Sequence, residues 1–332
     1  MAPLGVRGAR CGSERLVTDR VLVTGASGSL GRVVTEALLE AGFGVRGQFS
    51  RAPGLARRVE WRQADFMTSL SADDLARDCV AVINLVGEVG VAARMYRLNV
   101  EVPRALLDAA ADAGARYFGH ASSISVYGSP RESVLDEQSE TIDLDKPLER
   151  QIFESPTGVE YARTKLLAEQ ALRRPPSVAR LDLYRIAKSA DLDRLLESAG
   201  WGLRKQLLSL HEQSHCIYER DCADAIVSLM ARGLSGAGAA VETIIVADPA
   251  AGTHAEALAQ LRERPGAGAS STPIHLPPVV ERLKNAIRYR SLAPRLPIGQ
   301  VRLNTARLAA TGFRSTVGYA RALELAVNAR SS

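Results

Sequence analysis

The sequence predicts an α/β protein: a doubly wound parallel sheet followed by a small, mixed C-terminal lobe. Three observations predict it. Short apolar strands alternate with amphipathic helices through the first half of the chain. The first strand runs into Thr24-Gly-Ala-Ser-Gly-Ser-Leu-Gly31, a glycine-rich turn that opens a helix. Far downstream, Tyr161-Ala-Arg-Thr-Lys165 sets a tyrosine and a lysine one helical turn apart, on one face.

The elements follow in order. Residues 21–23 read as a short buried strand. Residues 31–41 read as a helix, with Val33, Val34, Ala37, Leu38 and Ala41 on one side and Gly42 ending it. Strands follow at 45–50, 59–64 and 80–86, then a helix over 95–113 that stops at Gly114. A fifth strand at 117–123, a helix at 161–172 stopped by Pro175-Pro176, and a sixth strand at 177–186 complete the regular part. Strands separated by helices imply a parallel sheet covered on both faces. After about 190 the regularity falls. Helices are expected at 190–199, 203–212, 221–232 and 253–263, a strand at 241–246, a loop at 264–273, and terminal helices at 303–310 and 316–328. The chain therefore divides into a disordered extension (1–19), a dinucleotide-binding domain with the catalytic residues (20–188), and a C-terminal portion (189–332). That portion is mostly substrate lobe, with the strand at 241–246 free to return to the main sheet.

Composition narrows the class. Hydrophobic residues make 46% and charged residues 24% of the 332, as in a soluble globular protein. No apolar run approaches the roughly 18 residues of a membrane span. The net charge of +5 is mostly arginine, without a basic block or basic–aromatic interleaving, so a nucleic-acid surface is not expected. Cys11, Cys79, Cys216 and Cys222 form no CxxC pair, and the five histidines are scattered. No metal site or disulfide framework is expected, and a reducing cytoplasm fits. Residues 1–19 carry Arg7, Arg10 and Arg15 but no apolar signal core.

The glycine turn has a physical logic. The chain must bend sharply out of the strand, and a pyrophosphate must approach backbone N–H groups with no Cβ in the way. The helix behind it then aims its positive end at the phosphates. Gly25, Ser27, Gly28, Ser29, Leu30 and Gly31 are the candidates. An acid after the second strand would hold the adenosine ribose hydroxyls of NAD. From 43 to 59 there is no acid, but Arg46, Arg51, Arg57 and Arg58 are present. Ser50-Arg51 is the pair placed for the 2′-phosphate of NADP, which favours NADP over NAD; the alternative is that these arginines are solvated. Asp65, followed by Phe66, is a candidate for the adenine amino group or a plain helix cap.

Ser122-Ser123-Ile-Ser-Val-Tyr-Gly128 ends the fifth strand, where ligands sit in an open parallel sheet. A tyrosine is a poor base near its ordinary pKa of about 10. The Lys165 ammonium is expected to lower it and to hold the nicotinamide ribose, with Tyr161 moving the proton and Ser123 orienting the substrate oxygen.

With these residues the chain resembles the extended short-chain dehydrogenase/reductases, in the NAD-dependent epimerase/dehydratase group. The resemblance is close over about 20–172: the glycine turn, Asp65, Asn84-Leu-Val-Gly87, Asn99-Val-Glu, the serine-rich strand end and Tyr161-xxx-Lys165. It resumes weakly at Ile217-Tyr-Glu-Arg-Asp-Cys-Ala-Asp-Ala-Ile226, near 244–249, and at Ala310-Thr-Gly-Phe-Arg314. It implies a Rossmann-like fold, Val86 and Gly87 beside the cofactor, Asn99 near the nicotinamide end, and Ser123, Tyr161 and Lys165 as the catalytic triad. It also implies a nucleotide-sugar substrate and a homodimer built on helices near 94–113 and 157–172. Ser123-Ile-Ser stands where the dehydratase branch has Thr-Asp-Glu, which disfavours dehydration. The family's Arg-x-x-Asn-x-Tyr-Gly-Pro stretch is absent from the region of Arg180 to Lys188, and the segment from Lys165 to Asp221 is short for the family. The expected activity is that of a nucleotide-sugar epimerase or 4-ketoreductase. The alternatives are reduction of a non-sugar carbonyl and a non-catalytic dinucleotide-binding scaffold or sensor.

Overall fold

The computed structural model describes residues 19–174, 178–202, 210, 212–262, 280, 283, 287 and 295–331. The expected N-terminal extension (apart from residue 19), the loop at 264–273 and most of the helix at 203–212 lie outside these residues.

The Rossmann-like half reads β1 (Arg20–Thr24), α1 (Ser29–Glu40), β2 (Gly44–Phe49), β3 (Val59–Gln63), α2 (Asp73–Ala76) and β4 (Ala81–Asn84). It continues through α3 (Ala92–Tyr96), a π-helical turn (Arg97–Glu101), α4 (Val102–Asp112), β5 (Tyr117–Ser123), β6 (Val134–Leu135), α5 (Pro156–Leu172) and β7 (Arg180–Ile186). Then come β8 (Lys188–Ala190), α6 (Leu192–Leu195), β9 (Cys216–Tyr218), α7 (Glu219–Leu234), β10 (Val241–Val246) and α8 (His254–Arg262). The chain closes with β11 (Arg302–Leu303), α9 (Ala306–Ala310) and α10 (Tyr319–Ser331).

Seven strands form one parallel sheet in the order β10-β7-β5-β4-β1-β2-β3. The strand at 241–246 does return to the main sheet, pairing along its length with β7. Alternation along the strands makes two cores. Val21, Val23 and Ile83 pack with α1 and α7 on one face. Leu22, Val82 and Phe118 pack with Leu75, Leu106, Leu107 and Leu172 on the other. Period-2 alternation thus buries both faces of every central strand. The order reverses between β1 and β4, and the crevice at that switch point is where a ligand is received.

Two local differences matter. The helix expected at 95–113 is broken by the π turn at Arg97–Glu101. Pro103 follows it at the start of α4, with no N–H to give a helical bond. Leu303 belongs to a two-residue strand, β11, paired with β6, not to a terminal helix. In the C-terminal lobe α10 packs Leu323, Ala326 and Val327 against Leu195, Cys216 and Leu261. β8 and β9 form a second two-stranded sheet.

Candidate active site

The glycine turn is built for close backbone approach. Gly25 has φ +67°, in the left-handed region. A Cβ at Gly31 would overlap the Gly25 carbonyl oxygen and lie 2.8 Å from the Ala26 Cα. Gln48 clamps the turn: its Oε1 accepts from Gly25 N at 2.8 Å, and its Nε2 donates to the Ala64 carbonyl at 2.6 Å. The only signal for it in the sequence is an amide inside a buried strand. Ser29 Oγ reaches Glu219 Oε2 at 3.5 Å. The residues fit a dinucleotide: the turn, the open helix start and the absence of a blocking side chain are all present.

Beyond the end of β2, where the sequence expects the adenosine, a cavity of about 540 Å³ is lined by Ser27, Arg32, Ser50, Arg51, Asp65 and Arg94, among others. Arg51 is where the sequence places it, exposed after β2. Arg32 and Arg94 were not expected; they arrive from α1 and α3. Arg46 does not take part. It is buried, donating to the carbonyls of Leu75 at 2.9 Å and Arg77 at 2.6 Å and pairing with Glu60 at 3.2 Å. Arg57 and Arg58 are exposed and do not line this cavity. Asp65 caps a turn, with Oδ1 accepting from Met67 N at 2.9 Å, and no helix follows it. Phe66 sends its ring into the core, leaving only its backbone at the strand end.

Beneath the switch point runs a buried polar ladder. Thr24 Oγ1 donates to Asn84 Oδ1 at 2.7 Å, and Val86 N donates to the same oxygen at 3.2 Å. The Asn84 amide is then left to donate to His120 Nδ1 at 3.0 Å. Burial, and then the Lys165 charge, hold His120 well below its ordinary pKa, so the ring is neutral.

A second cavity, about 460 Å³, brings the candidate catalytic residues Ser123, Tyr161 and Lys165 together with Leu30 and Gly87. Gly87 leaves room where a Cβ would sit 3.2 Å from Lys165 Nζ and 3.3 Å from Asn99 Oδ1. Asn99 is close, but its amide is engaged within the protein. Oδ1 accepts from Glu88 N at 2.8 Å, and Nδ2 donates to Glu88 O and Thr164 Oγ1, each at 3.0 Å. It fastens the loop after β4 to α5. The resemblance implied a place near the nicotinamide end, and Asn99 lies directly behind Gly87 of this cavity.

α5 begins just over one turn before Tyr161. Ser155 caps it by accepting from Gly158 N at 3.2 Å, with Pro156 at its first position. Lys165 is buried and donates to the Ala121 carbonyl at 2.8 Å. Burial pushes its pKa down to about 8, opposed by Glu169. Ser123 Oγ bonds Ser125 Oγ at 3.0 Å and accepts from Ser125 N at 3.1 Å, which holds it at the strand end.

The Tyr161 phenol departs from expectation. Burial pushes its pKa above the ordinary value, and its hydrogen bond with Ser123 recovers only part. The Tyr–Lys spacing predicts the opposite direction. Lys165 Nζ sits 5.8 Å from the ring centroid with a carbonyl partner of its own, so desolvation wins.

Behind this wall lies a buried ion pair. Glu169 receives Arg185 through two bonds, Nε to Oε1 at 3.0 Å and Nη2 to Oε2 at 2.8 Å, and Ser122 Oγ at 2.6 Å. Lys188 and His215, unmarked by sequence, also line the cavity.

Residues 21–175 match the NAD dependent epimerase/dehydratase family. No curated protein matches the chain. Among solved structures, a short-chain dehydrogenase/reductase superfamily protein from Agrobacterium tumefaciens with bound NAD is 22% identical, with a TM-score of 0.72 over 94% of this chain and 97% of that one. A UDP-glucuronic acid 4-epimerase from Bacillus cereus in complex with NAD is 19% identical, with a TM-score of 0.65 over 94% and 98%. The human epimerase family protein SDR39U1 with NADPH is 19% identical, with a TM-score of 0.60 over 93% and 99%. The similarity to the NAD dependent epimerase/dehydratase family thus lies in residues 21–175, and the chain as a whole has the fold of these solved structures.

Proposed function

We propose that this protein is an NADP(H)-dependent reductase of a nucleotide-sugar ketone, working by hydride transfer with Tyr161 as the acid. The observation that carries the reading is one cavity holding Ser123, Tyr161 and Lys165 beside Leu30 and Gly87 of the dinucleotide loops. Arg32 and Arg51 would hold the 2′-phosphate, the glycine turn the pyrophosphate, and Lys165 the nicotinamide ribose. A bound nicotinamide supplies the hydride. Ser123 then orients the carbonyl oxygen, and Tyr161 gives it a proton. A phenol is protonated at neutral pH, and burial keeps Tyr161 so, which leaves it a proton to give the ketone oxygen. The nucleotide-sugar class is supported by a fold neighbour whose name is UDP-glucuronic acid 4-epimerase.

A cofactor-recycling epimerase that retains NAD is the second reading, favoured by neighbours with bound NAD. The arginines at the adenosine end speak against it. A homodimer through the α3–α4 and α5 faces is part of the proposal. So is a reducing cytoplasmic setting, which fits the free, buried Cys79, Cys216 and Cys222.

The test is the nucleotide released from purified protein, then titration with NADPH and NADH and the same titration of Tyr161→Phe. The reductase reading expects little retained NAD, preference for NADPH, and a variant that keeps NADPH affinity but loses turnover on 4-keto sugars. Tightly retained NAD would install the epimerase reading. Dinucleotide binding without turnover in the wild-type protein would leave the scaffold or sensor, and absence of dinucleotide binding would overturn the hydride-transfer reading.

A further inference from the structure

The catalytic cavity has a one-sided charge. None of the described residues that line it is acidic, and its two cationic side chains are Lys165 and Lys188. Lys165 is buried, with the Ala121 carbonyl as its partner. Lys188 is different. It starts β8, just past the C-terminal end of β7, on the edge of the sheet where ligands are received. Its backbone is tied down, N–H donating to the His215 carbonyl at 2.7 Å. Its side chain is exposed and meets Glu197 at 3.1 Å, the two side chains being 44% and 48% accessible. An ion pair this open is screened and exchangeable. An anion entering the cavity competes with Glu197 for the ammonium, and a cavity lined by lysines without acids draws anions in.

We propose that Lys188 is an anion-binding, specificity-determining residue: the substrate carries a carboxylate or phosphate that Lys188 grips while its reacting carbon lies beside Tyr161. This rests on the hydride-transfer reading in taking the Tyr161 cavity as the substrate cavity. Glu197 acts as a stand-in that holds the ammonium until the substrate arrives. The two residues therefore have opposite effects on affinity, which a merely structural ion pair would not produce.

The test uses wild-type protein, Lys188→Met and Glu197→Gln, each first titrated with NADPH to show an intact cofactor site. Calorimetric titrations of the NADPH-saturated proteins with UDP-glucuronate, UDP-glucose, UDP and glucuronate then read the anion site. Lys188→Met is expected to weaken the recognised anion by about tenfold, the worth of one charge-assisted hydrogen bond. Glu197→Gln is expected to tighten it. A loss confined to UDP-glucuronate and glucuronate identifies a sugar carboxylate; a loss shared by UDP-glucose and UDP identifies the diphosphate. Equal affinities in wild type and Lys188→Met, weaker binding in Glu197→Gln, or no anion bound by wild-type protein that does bind NADPH would each overturn the proposal. If wild-type protein binds no NADPH, the hydride-transfer reading fails by itself. The same anion titrations on the protein alone then decide for or against Lys188.

Discussion

Replacing Glu169 with alanine tests what holds the catalytic wall in place. Glu169 and Arg185 have side chains only 1% and 5% accessible, and the carboxylate also receives Ser122, the neighbour of Ser123. Removing the carboxylate leaves Arg185 a buried charge whose remaining bonds run to the Tyr127 hydroxyl at 2.9 Å and the Glu137 carbonyl at 3.4 Å. Breaking a buried pair from one side costs about 3–5 kcal/mol, because the partner charge stays desolvated. With unfolding entropy of about 2.1 cal/mol/K per residue, a chain of 332 carries roughly 0.7 kcal/mol/K, so a loss of ~4 kcal/mol lowers Tm by about 6 °C. Glu169→Gln should fall between, keeping a bond to Ser122 without the charge. Glu197→Gln, which breaks the exposed pair with Lys188, is the control; exposed pairs contribute about 0–1 kcal/mol, so its Tm should move by less than roughly 1.5 °C. Scanning calorimetry at constant pH and salt reads all three. A fall below about 2 °C for Glu169→Ala would show that the Arg185 charge is relieved in some other way and would refute the argument.

Three further outcomes are expected. Gly31→Ala should abolish dinucleotide binding in a fluorescence titration, because its Cβ has no room against Gly25 and Ala26 unless the turn opens; near-normal affinity would mean that the turn gives way easily. Arg51→Ala combined with Arg32→Ala should cut NADPH affinity by about a hundredfold and leave NADH within a few-fold, since two charge-assisted contacts to the 2′-phosphate are lost; parallel losses for both cofactors would remove these arginines from phosphate recognition. NADPH affinity should weaken as pH rises through about 8, because Lys165 is a cation below that value and neutral above it; a flat profile from pH 7 to 10 would show that its charge is not used. The sign for stability is opposite: burial disfavours the Lys165 cation in the folded state, so its own contribution to stability rises between about pH 8 and its unfolded value.

The sheet was legible because its strands are short segments with apolar residues, such as Ala81–Asn84, set between helical patterns. Tyr117–Ser123 and Val241–Val246 fall where the sequence puts them. That Ser123, Tyr161 and Lys165 meet in one cavity was legible because Tyr161 and Lys165 are one turn apart and Ser123 ends a strand. What escaped depends on partners far away in the chain. Arg46 is one of four arginines the sequence offers near the end of β2, and only the carbonyls of Leu75 and Arg77 that enclose it set it apart. The Gln48 clamp joins three strands' ends, and nothing near Gln48 in sequence announces it. Strands of two residues, such as β6 and β11, carry no periodicity to detect. The direction of the Tyr161 shift turned on desolvation, which spacing along a helix does not report.

The placement of β10 has a consequence for how the chain is made. The sheet's seventh strand lies more than fifty residues after the sixth, beyond the two small-sheet strands and α7. During synthesis the nascent chain presents β7 as an open edge until Val246 has left the ribosome. On that edge Arg180 is paired with Asp182 at 2.6 Å but still lacks Glu242, which meets it at 2.8 Å in the finished sheet. An open parallel edge invites pairing with another nascent chain. A polypeptide cut after residue 190, although it holds Ser123, Tyr161 and Lys165, is therefore expected to aggregate when translated alone, and co-translational chaperone capture should be heaviest between the emergence of β7 and that of β10.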